Sequence, residues 1–349
     1  MSILRRFTHF DGTRAHPRPM VRVDNVRQAA KDFRRDLLSQ SKLRYYHSME
    51  LVRVPYPTKY GYLNAYRGLS SFLHLCNRLF VIQFNSSEGV KTLLVGPSDW
   101  ENQRETPFFD RLNKSAGPFA GVAENLLFKK TATVPERLQE IGLDPAEVDY
   151  ITYDHLHTQN VRRWLGADGQ PALFPNAKLL VFRDEWESTL SLIPWQSQWY
   201  CPNGIAGVPM DKVILLDHDV FLGEGVALMR STGHTIGNHS IVAHTDDGLF
   251  VTSENGISLD AYAPQLSKLP GIAAYAKYTG SEIILNGNTL EYAVDQYISM
   301  VQEKEVAGPS KQDERIPNVA PSSESYGYWL FPQTEPSFHR GDLRFGSLQ

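Results

Sequence analysis

The sequence predicts an α/β protein in which strands and helices stack in layers, and three observations lead there. Short runs dense in β-branched and aromatic residues recur along the chain. Amphipathic stretches with helix-capping signals lie between them. The composition, 42% hydrophobic and 21% charged, is that of a globular protein. At 349 residues the chain can bury a substantial core as one large domain or two.

Residues 1 to about 22 are rich in Arg, Pro and His without periodicity and read as an irregular arm. A helix is expected from Asp24, which can cap it, with Val26, Phe33, Leu37 and Leu38 near one face. A short strand over 51–56 should stop at Pro55 and Pro57. The main domain is expected from near Asn77, where LFVIQF (79–84) and KTLLVG (91–96) flank a turn-forming stretch from Asn85 to Gly89. A loop or helical stretch follows. Next comes a helix with Leu138 and Ile141 on one face, ending at Gly142, then a buried strand over 148–153. AKLLVF (177–182), KVILLD, VALMRST, SIVAHT, GLFVTSE and EIILN (282–286) read as strands, RDEWESTLSL as a helix start, and about 291–304 as a helix. The tail carries Tyr326, Tyr328, Trp329 and Phe331, too aromatic for a disordered segment. The expected units are 1–76, an arm and helix packed on the core; 77–305, the main domain; and 306–349, a docked tail and candidate lid.

The net charge of −4 points to neither nucleic acid nor an acidic membrane surface. Two cysteines, Cys76 and Cys201, make no disulfide framework and no cysteine-based zinc site. The N-terminal stretch lacks the apolar core of a secretory signal, and no run reaches the ~18 apolar residues of a membrane span. The expectation is a cytoplasmic protein acting on a small molecule, with homo-oligomerisation through the arm left open.

Of eleven histidines, His155 and His157 differ from the rest. Two residues apart at the end of a predicted strand, they can point the same way and chelate one cation; neutral imidazole suits Zn, Fe, Ni or Cu. His234 sits in STGHTIGNHS, where flanking glycines permit a sharp reversal that aims an imidazole inward. His9, His16, His47, His74 and His339 read as surface or core residues, and His218, His239 and His244 as structural.

These residues resemble the metallo-β-lactamase superfamily. LQEIGLDPAEVDYITYDHLH is similar to that family's helix, glycine turn and strand leading into a His-x-His-x-Asp-His motif. LFPNAKLLVFRDEW and TGHTIGN resemble two further family stretches in the right order, and the likeness runs from about residue 78 to 304. It implies an αββα four-layer sandwich, here with an N-terminal extension and a C-terminal aromatic tail. It also implies metal ligation by His155, His157 and His234.

The departures from the family pattern share a character. Gln159 stands at the motif aspartate, Asn160 at the following histidine, and Asn288 at the late histidine. Glu254 takes the place of the bridging aspartate, and Gly96 stands where an early acid is expected. The first-site ligands therefore survive while the second site becomes neutral amides, poor ligands for a borderline-soft dication. One divalent metal is expected, zinc first and iron or manganese as alternatives, with Glu254 as fourth ligand or close partner.

The resemblance implies hydrolysis in which a metal-bound hydroxide attacks an ester, lactone, thioester or amide carbonyl. Glu254 or Asp154 is the candidate base, and Gln159 can hold the water but cannot take its proton. Asn160, Asn288, Trp195 and Tyr200 are candidate substrate-binding residues. Two alternatives stand beside hydrolysis: a mononuclear non-haem iron oxygenase, as in the family's persulfide dioxygenase-like branch, and a non-catalytic binding protein with a degenerate site.

Overall fold

Alternation along single strands sorts the side chains onto two faces. In the computed structural model, which describes residues 4–115, 117 and 120–349, strand β3 sends Phe80, Ile82 and Phe84 to one side and Leu79 and Val81 to the other. The same split holds for Leu93 and Val95 against Leu94, for Leu180 and Phe182 against Leu179 and Val181, and for Val226 and Leu228 against Ala227 and Met229.

Among the described residues the strands are β1 (Arg5–Arg6), β2 (Tyr45–Pro57), β3 (Phe72–Ser86), β4 (Gly89–Val95), β5 (Lys129–Lys130), β6 (Tyr150–Thr152), β7 (Lys178–Phe182), β8 (Val213–Leu216), β9 (Val220–Gly223), β10 (Val226–Arg230), β11 (His239–Thr245), β12 (Gly248–Thr252), β13 (Ser323–Tyr326) and β14 (Arg344–Gly346). They form a nine-stranded sheet ordered β14-β2-β3-β4-β6-β7-β8, with β13 on β3 and β5 on β2, and a five-stranded sheet ordered β1-β9-β10-β11-β12. Phe80, Phe182, Leu228 and Ile241 pack in one core between the sheets. The other face of the small sheet is covered by helix Pro19–Leu38 and helix Ala293–Ala307, which meet through Val23, Val26, Ile298 and Val301. The other face of the large sheet carries helix Val134–Ile141, begun by a Thr133 capping box and ended by Gly142 in the left-handed region. This is the αββα sandwich.

Four local expectations change. Strand β2 runs through Pro55 because β5 covers only Val52 and Arg53 on that side, leaving the proline's missing N–H nothing to pair with. The 76/77 boundary falls inside β3, whose first half pairs with β2 and β13. The first helix starts at Pro19 rather than Asp24, since proline's fixed φ suits the first helical position. Residues 282–286 form no strand; Ile283 and Ile284 are buried, but the segment bonds to loops, Ile284 N to Ala261 O and Asn286 N to Asn255 O. The tail adds β13 and β14 to the large sheet, while Trp329 stays 72% exposed. No helix among the described residues is long and apolar enough to cross a membrane.

Candidate metal centre

Strand β6 ends at Thr152, and the chain turns to present His155 and His157. His157 bridges to Tyr200, and the next residue, Thr158, donates its N–H to Trp199 O at 2.7 Å. Thr158 holds φ at 62°, strain for a β-branched residue that only a well-braced loop retains. His234 comes from the other sheet, in the turn between β10 and β11. A Cβ on Gly233 would lie 2.1 Å from Gln296 Cα, and one on Gly237 would lie 2.1 Å from Glu185 N. Only glycine lets the turn pack this close.

The three imidazoles converge. Ring centroids lie 4.6 Å apart for His155 and His157, 4.6 Å for His155 and His234, and 5.0 Å for His157 and His234. One ring nitrogen of each lies within 4.8 Å of the others, and all three residues are buried. The Nε2 atoms of His155, His157 and His234 have no hydrogen-bond partner among the described residues. His234 Nδ1 lies 3.1 Å from Asn286 O, a pure acceptor, so it carries the proton and leaves the Nε2 lone pair free. His155 Nδ1 lies 3.3 Å from Asp154 Oδ1, an ion-pair contact rather than an aligned hydrogen bond. Three buried nitrogens without partners in one place fit a divalent ion better than they fit a dry core.

Two of the three imidazoles are held in the neutral form that a metal needs. Burial and the neighbouring His155 charge push His234 down to about 3 and hold His157 well below the usual range. Burial opposes charge on His155 too, but Asp154 outweighs it and raises His155 to about 9. Burial likewise works against the Asp154 carboxylate, yet His155 and Ser322 keep it below its ordinary value. Asp154 Oδ2 accepts the Glu254 N–H at 2.5 Å and the Ser322 hydroxyl at 2.9 Å. Burial pushes the Glu254 carboxyl up, and Asn286 Nδ2 donates to its Oε1 at 3.3 Å.

The centre opens onto a cavity of about 50 Å³ whose wall includes His155, His157, Gln159, Trp199, Glu254, Asn288 and Ser323. Gln159 Oε1 already accepts from Ser98 Oγ at 2.9 Å and from Gln103 Nε2 at 3.4 Å. Asn288 Nδ2 lies 3.5 Å from His157 Nδ1, and Asn288 Oδ1 has no partner among the described residues. Tyr200 is buried with its ring 4.7 Å from that of His157. Of the expected site residues, Asp154, Asn160, Trp195, Tyr200 and His234 lie off this wall. Asn160 turns its Oδ1 to Arg162 N and Nε at 3.3 and 3.1 Å, bracing the start of helix Arg162–Leu165. Trp195 is 47% exposed. Glu254 also lies outside the mutually close group of ring nitrogens.

Sequence reasoning missed Asn286, Glu185, Ser322 and Ser323. Glu185 had a signal, since it belongs to the RDEW stretch; the serines had none. Phe108 and Trp199 stack at 4.5 Å beside the cavity. A larger cavity of about 680 Å³ shares Gln159 with the small one and is lined by Leu156, Trp186, Leu192, Ile205 and Val208 among others.

No protein-family model matches the chain. N-acyl homoserine lactonase AttM of Rhizobium johnstonii is 26% identical over 151 residues, covering 40% of this chain and 52% of the relative. AttM of Azorhizobium caulinodans is 29% identical over 150 residues, with the same shares. The chain thus spans about half the length of the curated relatives it matches. Among solved structures, an N-acyl homoserine lactone hydrolase with N-hexanoyl-L-homoserine bound at its catalytic metal centre superposes with a TM-score of 0.52 at 16% identity, covering 81% of this chain and 94% of that one. AidC, a dizinc quorum-quenching lactonase, superposes with a TM-score of 0.53 at 11% identity, covering 89% and 97%.

Proposed function

We propose that this chain, whose fold is that of the metallo-β-lactamase superfamily, is a metal-dependent hydrolase that opens a lactone or related ester at a single metal site. The observation that carries the reading is the convergence of three buried imidazoles whose Nε2 atoms lack partners among the described residues. The lactone emphasis comes from the lactonases that the chain resembles in part.

His155, His157 and His234 would hold the ion. Bound there, a divalent ion such as zinc supplies Lewis acidity and makes water acidic enough to ionise near neutrality. Glu254 is the one carboxylate on the cavity wall among the described residues. We assign it the base role: it takes up the proton shed by the attacking water and returns it to the leaving oxygen. Asp154 is instead committed to Glu254 N, Ser322 and His155, so it steadies the loop. Gln159, its Oε1 held by Ser98, keeps an amide donor for a substrate oxygen, and the Asn288 amide on the same wall is a second polar group for substrate. The Phe108–Trp199 stack limits water, and the larger apolar cavity gives room for a hydrophobic substituent.

The donor set supports a single ion. The amides Gln159 and Asn288 bring no charge, and one carboxylate is little to offset two dications a few ångströms apart. The test is elemental analysis of the purified protein together with ring opening of N-hexanoyl homoserine lactone and γ-butyrolactone. About one metal equivalent and chelator-sensitive ring opening support the reading. Two equivalents sink the single-site part, and metal-free protein whose stability ignores chelators sinks the hydrolase.

A further inference from the structure

Glu185 is fully buried in the first turn of helix Arg183–Thr189, directly after β7. Its Oε1 accepts the N–H of Leu156 at 2.7 Å, the residue between the two paired histidines. Its Oε2 accepts the hydroxyl of Thr235 at 2.6 Å, the residue after His234. The Gly237 N–H also donates to this carboxylate. The two loops belong to different sheets: one follows β6 of the large sheet, the other joins β10 to β11 of the small one. One carboxylate therefore ties together the two backbone segments that carry all three imidazoles. Gly237 shows how close the fit is, since a Cβ there would meet the Glu185 backbone at 2.1 Å.

A buried carboxylate is costly unless its lone pairs are used, and here three donors use them. What the arrangement supplies is a second tie between the loops, beside the bond from His239 N–H to Asp154 O at 2.9 Å, set next to the imidazoles themselves. We infer that Glu185 is a positioning residue for the metal centre, holding the His155–His157 loop and the His234 turn in register so that the ion meets a preformed set of three nitrogens. This rests on the three histidines binding a metal, as proposed above.

The near-isosteric Glu185→Gln tests it. Glutamine offers one acceptor oxygen where the carboxylate has two, so at least one of the three donors faces an NH2 instead. Zinc affinity of the full chain, measured by competition with a chromogenic chelator, should fall by ~10–100-fold in Glu185→Gln. Thr235→Val removes one of the three donors and should cost less, and Thr235→Ser should recover the loss. The cobalt(II)-loaded Glu185→Gln protein should show a shifted visible absorption band, reporting altered ligand geometry, which a purely structural weakening would not produce in folded protein. Thermal unfolding of the metal-free variants confirms that the folded state is being compared. If Glu185→Gln does not fold, the Thr235 pair decides the matter. Zinc affinity and cobalt spectrum unchanged in folded Glu185→Gln, or unchanged affinity in Thr235→Val, overturn the inference while leaving the metal reading intact. An unsubstituted chain that takes up no zinc overturns both.

Discussion

The two sides of the centre differ in what the surrounding protein has already claimed. On the histidine side, three Nε2 atoms are buried together and left without partners among the described residues. On the amide side, Gln159 is held by Ser98 and Gln103, and Asn160 is turned away to brace the backbone at Arg162. An uncommitted buried lone pair is a demand for a ligand; a satisfied amide is not. The proposal of one metal rather than two rests on this difference, with the Asn288 amide left for substrate.

The sharpest way to break the comparison is to remove an imidazole. His234→Ala should abolish stoichiometric zinc uptake, a loss beyond the ~10–100-fold expected when only a supporting partner is removed. Isothermal titration with zinc checks this, and a variant that still binds one equivalent tightly would remove His234 from the site. Next in size is Glu254→Gln. Lactone ring opening should slow by ~10²–10⁴-fold with metal content retained, as for loss of a general base. Equal loss of metal would instead make Glu254 a ligand.

On the amide side, Asn160→Ala should cost about 1 kcal/mol of stability, the usual price of a lost helix-start bond, and leave zinc affinity unchanged. Denaturant unfolding and chelator competition read the two quantities separately. The last effect lies away from the centre. Burial works against the Glu50 charge, but hydrogen bonds from Arg53 and Thr131 hold its carboxyl down to about 2, below the 4.5 of the free side chain. A carboxylate lowered on folding stabilises the native state above its unfolded value, and that contribution is lost as pH falls through the folded one. Stability should therefore decline from about pH 4.5 toward 2, and Glu50→Gln should be less stable at neutral pH with a shallower acid decline. Thermal unfolding from pH 7 to 3 checks it.

Much of this was legible along the chain because the signals are local. Alternation in 79–84 and 91–96 placed both faces of β3 and β4, and the PERLQEIG stretch marked a helix and its end. The His155–His157 spacing and the glycines around His234 pointed to the group of ring nitrogens that the fold brings together. Other features had no local signature. Pro55 reads as a strand breaker until the open flank of β2 is seen, and 282–286 reads as a strand until its partners prove to be loops. Asn160 looks like a ligand-position amide, and only its contact with Arg162 gives it another task.

What the sequence determined by itself was the run of strands and helices and, through its resemblance to a known family, the layer order and the three imidazoles, because periodicity and motif spacing are properties of neighbouring residues. Only the tertiary structure decided how those imidazoles are held. Ser322 reaches Asp154 across 168 residues, and Glu185 joins loops from two sheets. Such contacts depend on how strands register and sheets face each other, and no window of sequence contains both partners.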